Sequence, residues 1–203
     1  MRKILFTSNC IFFIILLISS NTDLIAQSLD IGDQFINAGY MGCKSEIEIN
    51  PACTISPHSG PLCIKIEFLN SCKAGWAGVY WTNTADDSGA NWGQYPGTDF
   101  SNSGYSKITF WARGEKGNEV VEFGSGGINN TLTNPGICKY KDSYQKKYST
   151  EGKTLILGQD WRQYTIDLTD SDLSSVIGGF FWSANWRANP TGLVFYLDDI
   201  IFE

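Results

Sequence analysis

Six of the seven tryptophans, Trp76, Trp81, Trp92, Trp111, Trp182 and Trp186, lie in the middle and C-terminal parts of the chain, together with Arg113 and Glu122. Indole faces stack on the C–H surfaces of sugar rings, and a few charged or amide groups then bind the hydroxyls. This set is therefore the candidate ligand-binding group. Tryptophans inside strands are more often core residues than platforms. Trp92 and Trp186 stand in polar segments and are the better candidates for exposure, although a loop tryptophan often only pins its loop.

Catalysis finds less support. Glycoside hydrolysis needs two carboxylates, about 5–5.5 Å apart for retention or about 6.5–9.5 Å for inversion. Glu119 and Glu122 are three residues apart in a strand-like segment, so they face opposite ways. Glu122 with a carboxylate from another strand remains open as a hydrolase or lyase reading. A Ser-His-Asp triad would have to use His58, the single histidine, which sits in a Pro- and Gly-bearing turn.

The start of the chain, Met1-Arg2-Lys3 followed by an apolar run to Ile18 and by Leu24-Ile25-Ala26-Gln27, has the pattern of a secretory leader, so residues 1–27 are expected to be a signal peptide. The densest apolar stretch, Ile11 to Ile18, is far short of the roughly 20 residues a membrane span needs. One domain, 28–203, is expected to follow and nothing else. The leader carries a net of +1, so the formal charge of −6 for the whole chain becomes −7 for the rest. An acidic exported product is a poor partner for nucleic acid, and no membrane association is expected after cleavage. The expected location is secreted or extracellular, with the periplasm or cell surface as variants. A monomer is expected.

Export makes the cysteines candidates for disulfides. Cys43, Cys53, Cys63 and Cys72 are spaced nearly evenly around Ser56-Pro57-His58-Ser59-Gly60-Pro61, a strong turn signal. Residues paired across an antiparallel hairpin have position numbers with a constant total. Both the inner pair Cys53–Cys63 and the outer pair Cys43–Cys72 nearly satisfy this, so nested bridges are expected, with Cys138 left over. No Cys-x-x-Cys spacing points to zinc.

These residues must be positioned by strands. Aromatics at 14% and 21 glycines favour strands and tight turns. Glu46–Asn50 and Leu62–Phe68 alternate and should pair across the turn. In Gly75–Trp81, Trp76, Gly78 and Tyr80 point one way and Ala77, Val79 and Trp81 the other. Thr82–Pro96 reads as a polar loop. In Lys107–Arg113, Ile108, Phe110 and Ala112 face the core, with Trp111 and Arg113 opposite. Gly114–Asn118 then suggests a hairpin to Glu119–Phe123, which would bring Glu122 beside Trp111 and Arg113. Residues 28–42 read as an irregular lead-in and 128–151 as a long loop. Thr169–Ser175 suits one helical turn. Strands are also expected at Thr154–Leu157, Trp161–Leu168, Val176–Trp182 and Leu193–Phe202. About nine short strands make an all-β, two-sheet antiparallel β-sandwich of jelly-roll type.

The segments Trp111-Ala112-Arg113-Gly114-Glu115, Trp161-x-x-Tyr164-x-Ile166-Asp167-Leu168, Asp172–Phe180 and Phe195-Tyr196-Leu197-Asp198-Asp199-Ile200 resemble the galactose-binding-like jelly rolls, which include several bacterial carbohydrate-binding module families. The resemblance implies poly- or oligosaccharide binding without catalysis. It also implies a structural calcium joining the last strand to the early chain, through Asp198 or Asp199 and an early carboxylate such as Glu46 or Glu48. Calcium does favour hard oxygen donors. Neighbours in a strand face opposite sides, so at most one of Asp198 and Asp199 should reach such a site. Acceptance of backbone N–H groups by one of them is the alternative. The reading is an exported carbohydrate-binding domain; the alternatives are a glycoside hydrolase or lyase, or an adhesive module that binds protein.

Overall fold

A computed structural model describes residues 27–69, 71–83, 89–129, 138–148 and 154–203. The expected leader lies almost wholly outside the described residues. Among the described residues, twelve strands run in chain order: β1 (Leu29–Asp30), β2 (Ile36–Gly42), β3 (Ile47–Cys53), β4 (Cys63–Phe68), β5 (Trp76–Thr82), β6 (Lys107–Gly114), β7 (Val120–Gly126), β8 (Gln145–Lys147), β9 (Leu155–Ile156), β10 (Arg162–Asp167), β11 (Gly178–Asn185) and β12 (Leu193–Phe202). They form two sheets. The first, here sheet A, has the order β10-β6-β12-β4-β3, with β1 on β12. Sheet B has the order β2-β5-β11-β7-β8, with β9 on β7. All pairings between named strands are antiparallel. The expected two-sheet jelly-roll sandwich is what the chain forms.

The two-residue period of each strand decides what lies between the sheets. Ile66, Phe68, Ile108, Phe110, Ala112, Phe195 and Leu197 come from sheet A, and Ala77, Val79, Trp81, Val121, Phe123, Phe180 and Trp182 from sheet B; all are buried in one cluster. Phe110 meets Phe123 at 4.9 Å and Phe180 at 5.1 Å between ring centroids, and Trp182 meets Phe195 edge-on at 5.3 Å. Such tilted and edge-to-face pairs add to the gain from area burial.

Several expectations change. β6 and β7 do not pair: β6 lies in sheet A and β7 in sheet B, so Gly114–Asn118 carries the chain across the sandwich. The lead-in contains β1 and β2, and part of the expected long loop is β8. β2 and β8 are edge strands of mixed or polar sequence, and a strand with little core to bury need show no apolar period. Thr169–Ser175 makes no helical turn. The Asp167 and Asp172 side chains instead accept from the N–H groups of Thr169 and Ser174, two residues on, at 2.8 and 3.0 Å. That local bond competes with helix formation.

β3 and β4 do form the expected hairpin. Ile47 opposes Phe68 and Asn50 opposes Lys65, and a one-residue irregularity then places Cys53 opposite Cys63. The outer bridge, Cys43–Cys72, is present with a Cα–Cα distance of 5.9 Å. The inner bridge is not: Cys53 and Cys63 are buried free thiols. Each bonds to the backbone of Ile55, which donates its N–H to Cys53 Sγ at 3.4 Å and accepts from Cys63 Sγ at 3.8 Å. Burial, and then the neighbouring Cys53, push the Cys63 thiol up to about 12, which leaves it a poor nucleophile at neutral pH.

The Cys43–Cys72 bridge spans 29 positions. A loop of that size should lower the unfolded-state entropy enough to stabilise the fold by about 3–4 kcal/mol. Denaturant unfolding of the Cys43→Ala/Cys72→Ala variant is expected to show a loss of that order, with a larger m-value because the released unfolded chain exposes more surface.

Candidate functional site

With one side of every strand committed to the core, chemistry is left to the two outer faces. On sheet B, β5 contributes Trp76, Gly78 and Tyr80 outward, and β11 contributes Phe181, Ser183 and Asn185. Register aligns Met41, Gly78, Ser183 and Glu122 in one row and Gly39, Tyr80, Phe181 and Gly124 in the next. Trp76 lies opposite Asn185.

The face is divided in two. At one end Tyr80 and Phe181 pack with centroids 4.7 Å apart and are buried with Ile128 and Ile177, against Met41, Trp92 and Tyr140. Asp142 holds this end closed. Its carboxylate accepts from the N–H groups of Ile128 at 2.7 Å, Ile177 at 2.5 Å and Gly178 at 3.2 Å. Burial pushes its acid up to about 6, against the opposing effect of those three donors. The sequence reading did not single out Asp142. Its only signal there was an acidic residue in a Lys/Tyr-rich stretch, and its partners lie 14 to 36 positions away.

The other end is open. Trp76, Val120, Glu122, Thr154, Ser183, Ala184 and Asn185 line a shallow pocket of about 250 Å³. Trp76 is 40% exposed and Trp186, from the β11–β12 loop, 53%. Trp186 rests on Gly75: a Cβ there would lie 2.6 Å from its Nε1, and Gly75 has φ +72°, so glycine is required twice over. The Trp186 N–H donates to Gly75 O at 3.0 Å. Trp186 is thus anchored beside the start of β5. Glu122 accepts from Lys147 Nζ at 2.9 Å and faces Ser183 Oγ at 3.5 Å. Among the described residues, Glu122 is the one carboxylate in the pocket lining. Glu119 faces the other way and is buried, with Oε1 accepting from Lys116 N at 2.8 Å.

The remaining expected ligand-binding residues are dispersed. Trp81 and Trp182 are 3% and 0% exposed between the sheets, so neither can meet a ligand; they share the core-facing register of Val79 and Phe180. Trp92 is half-buried and packs edge-on against Tyr80 at 5.9 Å, pinning its loop. Trp111 and Arg113 lie on the outer face of sheet A, the side opposite Glu122, because β6 and β7 belong to different sheets.

The four carboxylates expected to bind calcium do not converge. Ile47, beside Glu46, opposes Phe68, which opposes Leu193. Asp198 is five residues further along β12, about 17 Å away at strand rise. Glu46 instead accepts from the Ser71 hydroxyl and N–H, which hold its acid below the usual range. Glu48 is exposed opposite Glu67. Asp198 accepts from the N–H groups of His58 at 2.9 Å and Ser59 at 3.2 Å, and Asp199 from His58 Nδ1 and Ser59 Oγ, both at 2.7 Å. Both aspartates face the same loop. A bulge between Asp198 and Ile201, with Asp199 at φ +45°, breaks the alternation that would have separated them. These residues do not fit one shared ion. Among the described residues, Cys43, Glu46 and Cys72 also cluster, but the two sulfurs are joined in the disulfide.

No family model and no curated protein matches the chain. Solved structures do. The chain is similar to a family 30 carbohydrate-binding module at TM-score 0.58 and 15% identity, covering 87% of this chain and 98% of that one. It is similar to the family 30 module of a cellulosomal cellulase of Clostridium thermocellum at TM-score 0.57 and 15% identity, covering 87% and 97%. The family 11 module of a second cellulosomal cellulase of that organism matches at TM-score 0.50 and 14% identity, covering 87% and 92%. The fold of this chain is that of carbohydrate-binding modules.

Asp142 leads to a pH test. Its acid is higher in the fold than the ordinary carboxylate value, so the fold takes up the proton more readily than the unfolded chain. Its contribution is fully present below about pH 4 and is lost as pH rises through about 6. Thermal or denaturant unfolding from pH 4 to 7 should show a pH-dependent loss of about 2–3 kcal/mol in wild type that is absent in Asp142→Asn.

Proposed function

We propose that this chain is an exported, non-catalytic saccharide-binding module that uses the open half of the outer face of sheet B. Trp76 and Trp186 are the stacking rings. Glu122, Ser183 and Asn185 supply hydroxyl partners, and Lys147 orients Glu122. The observation that carries the reading is the exposed Trp76 indole in the lining of a shallow polar pocket, with a second exposed indole, Trp186, held against neighbouring Gly75. Flat apolar rings next to charged and amide groups suit the two sides of a sugar, whose C–H face stacks and whose hydroxyls hydrogen-bond. The fold supports the reading, because the similar solved structures are carbohydrate-binding modules. Fold alone does not assign function, so the site must carry the argument.

A hydrolase would need a second carboxylate across the bond from Glu122. Among the described residues the pocket lining offers none, and Glu122 is engaged by Lys147. An adhesive, protein-binding role would use the same rings and is decided by the same experiment.

Purified residues 28–203 should bind at least one member of a panel of soluble and insoluble polysaccharides without releasing reducing ends. Trp76→Ala and Trp186→Ala should each weaken that binding at least tenfold, about 1.4 kcal/mol. Trp92→Ala should lower thermal stability more than affinity. Release of reducing ends that Glu122→Gln abolishes would make the protein an enzyme. Failure to bind any of the panel would overturn the saccharide reading in favour of a protein partner.

A further inference from the structure

The outer face of sheet A holds a second group of rings, which the sheet B pocket does not use. Register places Tyr196 opposite Arg113, and Asp198 opposite Trp111. The Arg113 guanidinium lies 3.7 Å from the centre of the Tyr196 ring and 5.2 Å from that of Trp161. Three aromatic rings and a cation stand where the outer face of a sandwich is usually polar. The β3–β4 loop, residues 54–62, lies across them.

The way this loop sits is informative. Its apolar side chains point out: Ile55 is 54% and Leu62 44% exposed. What it turns inward is an imidazole and a hydroxyl. His58 stacks on Trp111, centroids 3.6 Å apart and planes 16° from parallel. Asp199 accepts a ring nitrogen of His58 through one oxygen and the Ser59 hydroxyl through the other, and Asp198 accepts two backbone N–H groups. Trp161 Nε1 donates to Ser56 O at 2.8 Å and Arg113 to Ile55 O at 3.0 Å. Stacking and hydrogen bonds, with little apolar burial by the loop, hold it down.

We infer that this face is a second saccharide site, which the β3–β4 loop occupies and closes, with His58 and Ser59 in the place of a sugar residue. The chemistry is interchangeable group by group. A pyranose presents a flat C–H face to Trp111 as the imidazole does. Two neighbouring hydroxyls satisfy Asp199 as Nδ1 and Ser59 Oγ do. Trp161 Nε1 and Arg113, released from loop carbonyls, donate to further oxygens. The paired strands end at Cys53 and Cys63, so the loop can lift there without unpairing the sheet. A saccharide gains affinity only by displacing the loop, so this site is weak until the loop is released.

The test uses residues 28–203 carrying Trp76→Ala/Trp186→Ala, which silences the sheet B face. The probes are cellohexaose, xylohexaose and a mixed-linkage β-glucan, read by calorimetry and tryptophan fluorescence. Adding His58→Ala/Ser59→Ala is expected to raise affinity for at least one probe tenfold or more. Adding Trp111→Ala should abolish that gain. No gain, or a gain that survives Trp111→Ala, overturns the inference. Should the His58/Ser59 variant fail to fold, Pro57→Gly/Pro61→Gly loosens the loop and keeps its contacts, and the same two outcomes decide. Loss of wild-type binding in Trp76→Ala/Trp186→Ala alone judges the sheet B reading separately.

Discussion

The contact of Phe110 with Phe123 and Phe180, across the gap between the sheets, is the constraint on which the rest of the structure rests. It fixes which side of β6, β7 and β11 faces inward. Because a strand alternates strictly, fixing one side chain fixes all the others on that strand until a bulge intervenes. Trp182 is thereby committed to the core, while Trp111 and Glu122 are turned outward; the pairing of β5 with β11 extends the same choice to Trp81 inward and Trp76 outward. The distribution of possible binding residues is thus a consequence of core packing.

The two outer faces are then treated alike in principle and differently in detail. Each carries rings, and each has part of its rings covered by a loop. On sheet B the cover is itself apolar: Trp92 and Tyr140 pack on Tyr80 and Phe181, and Asp142 fastens the segment through three backbone donors. That end behaves as a small second core and positions the open end, where Trp76 and Trp186 stand. On sheet A the cover is polar, an imidazole on Trp111 and hydrogen bonds to two aspartates. Apolar cover is costly to remove because it re-exposes hydrocarbon. Polar cover exchanges one set of hydrogen bonds for another, and such an exchange is close to neutral when the incoming group matches.

The pair Asp198 and Asp199 shows how one irregularity redirects chemistry. In a regular strand they would lie on opposite faces and could not act together. The bulge, with Asp199 at positive φ, puts both carboxylates on the same loop and uses all four oxygens as acceptors. Left-handed backbone at a non-glycine residue costs about 1 kcal/mol or more. Here that strain is offset by five hydrogen bonds to the carboxylates, four of them from the loop.

Alternation and turn chemistry, both local, made much of this molecule legible in advance. The two faces of β5, the inward set Ile108, Phe110 and Ala112, and the hairpin about Ser56–Pro61 all follow from short-range periodicity, and together they imply a sandwich. What local pattern could not carry was partnership between distant segments. Nothing in Gly114–Asn118 distinguishes a hairpin turn from a crossing between sheets, so Glu122 and Trp111 could be placed side by side when the sandwich separates them. Edge strands such as β2 and β8 bury too little to show a period. A bulge is invisible without its opposing strand, so the shared orientation of Asp198 and Asp199 was decided only by pairing with β6. The sequence by itself determined which residues alternate and where the chain turns, because those depend on neighbours a few positions away. The tertiary structure alone decided which tryptophans meet solvent and which carboxylates meet each other, because those depend on register between strands far apart in the chain.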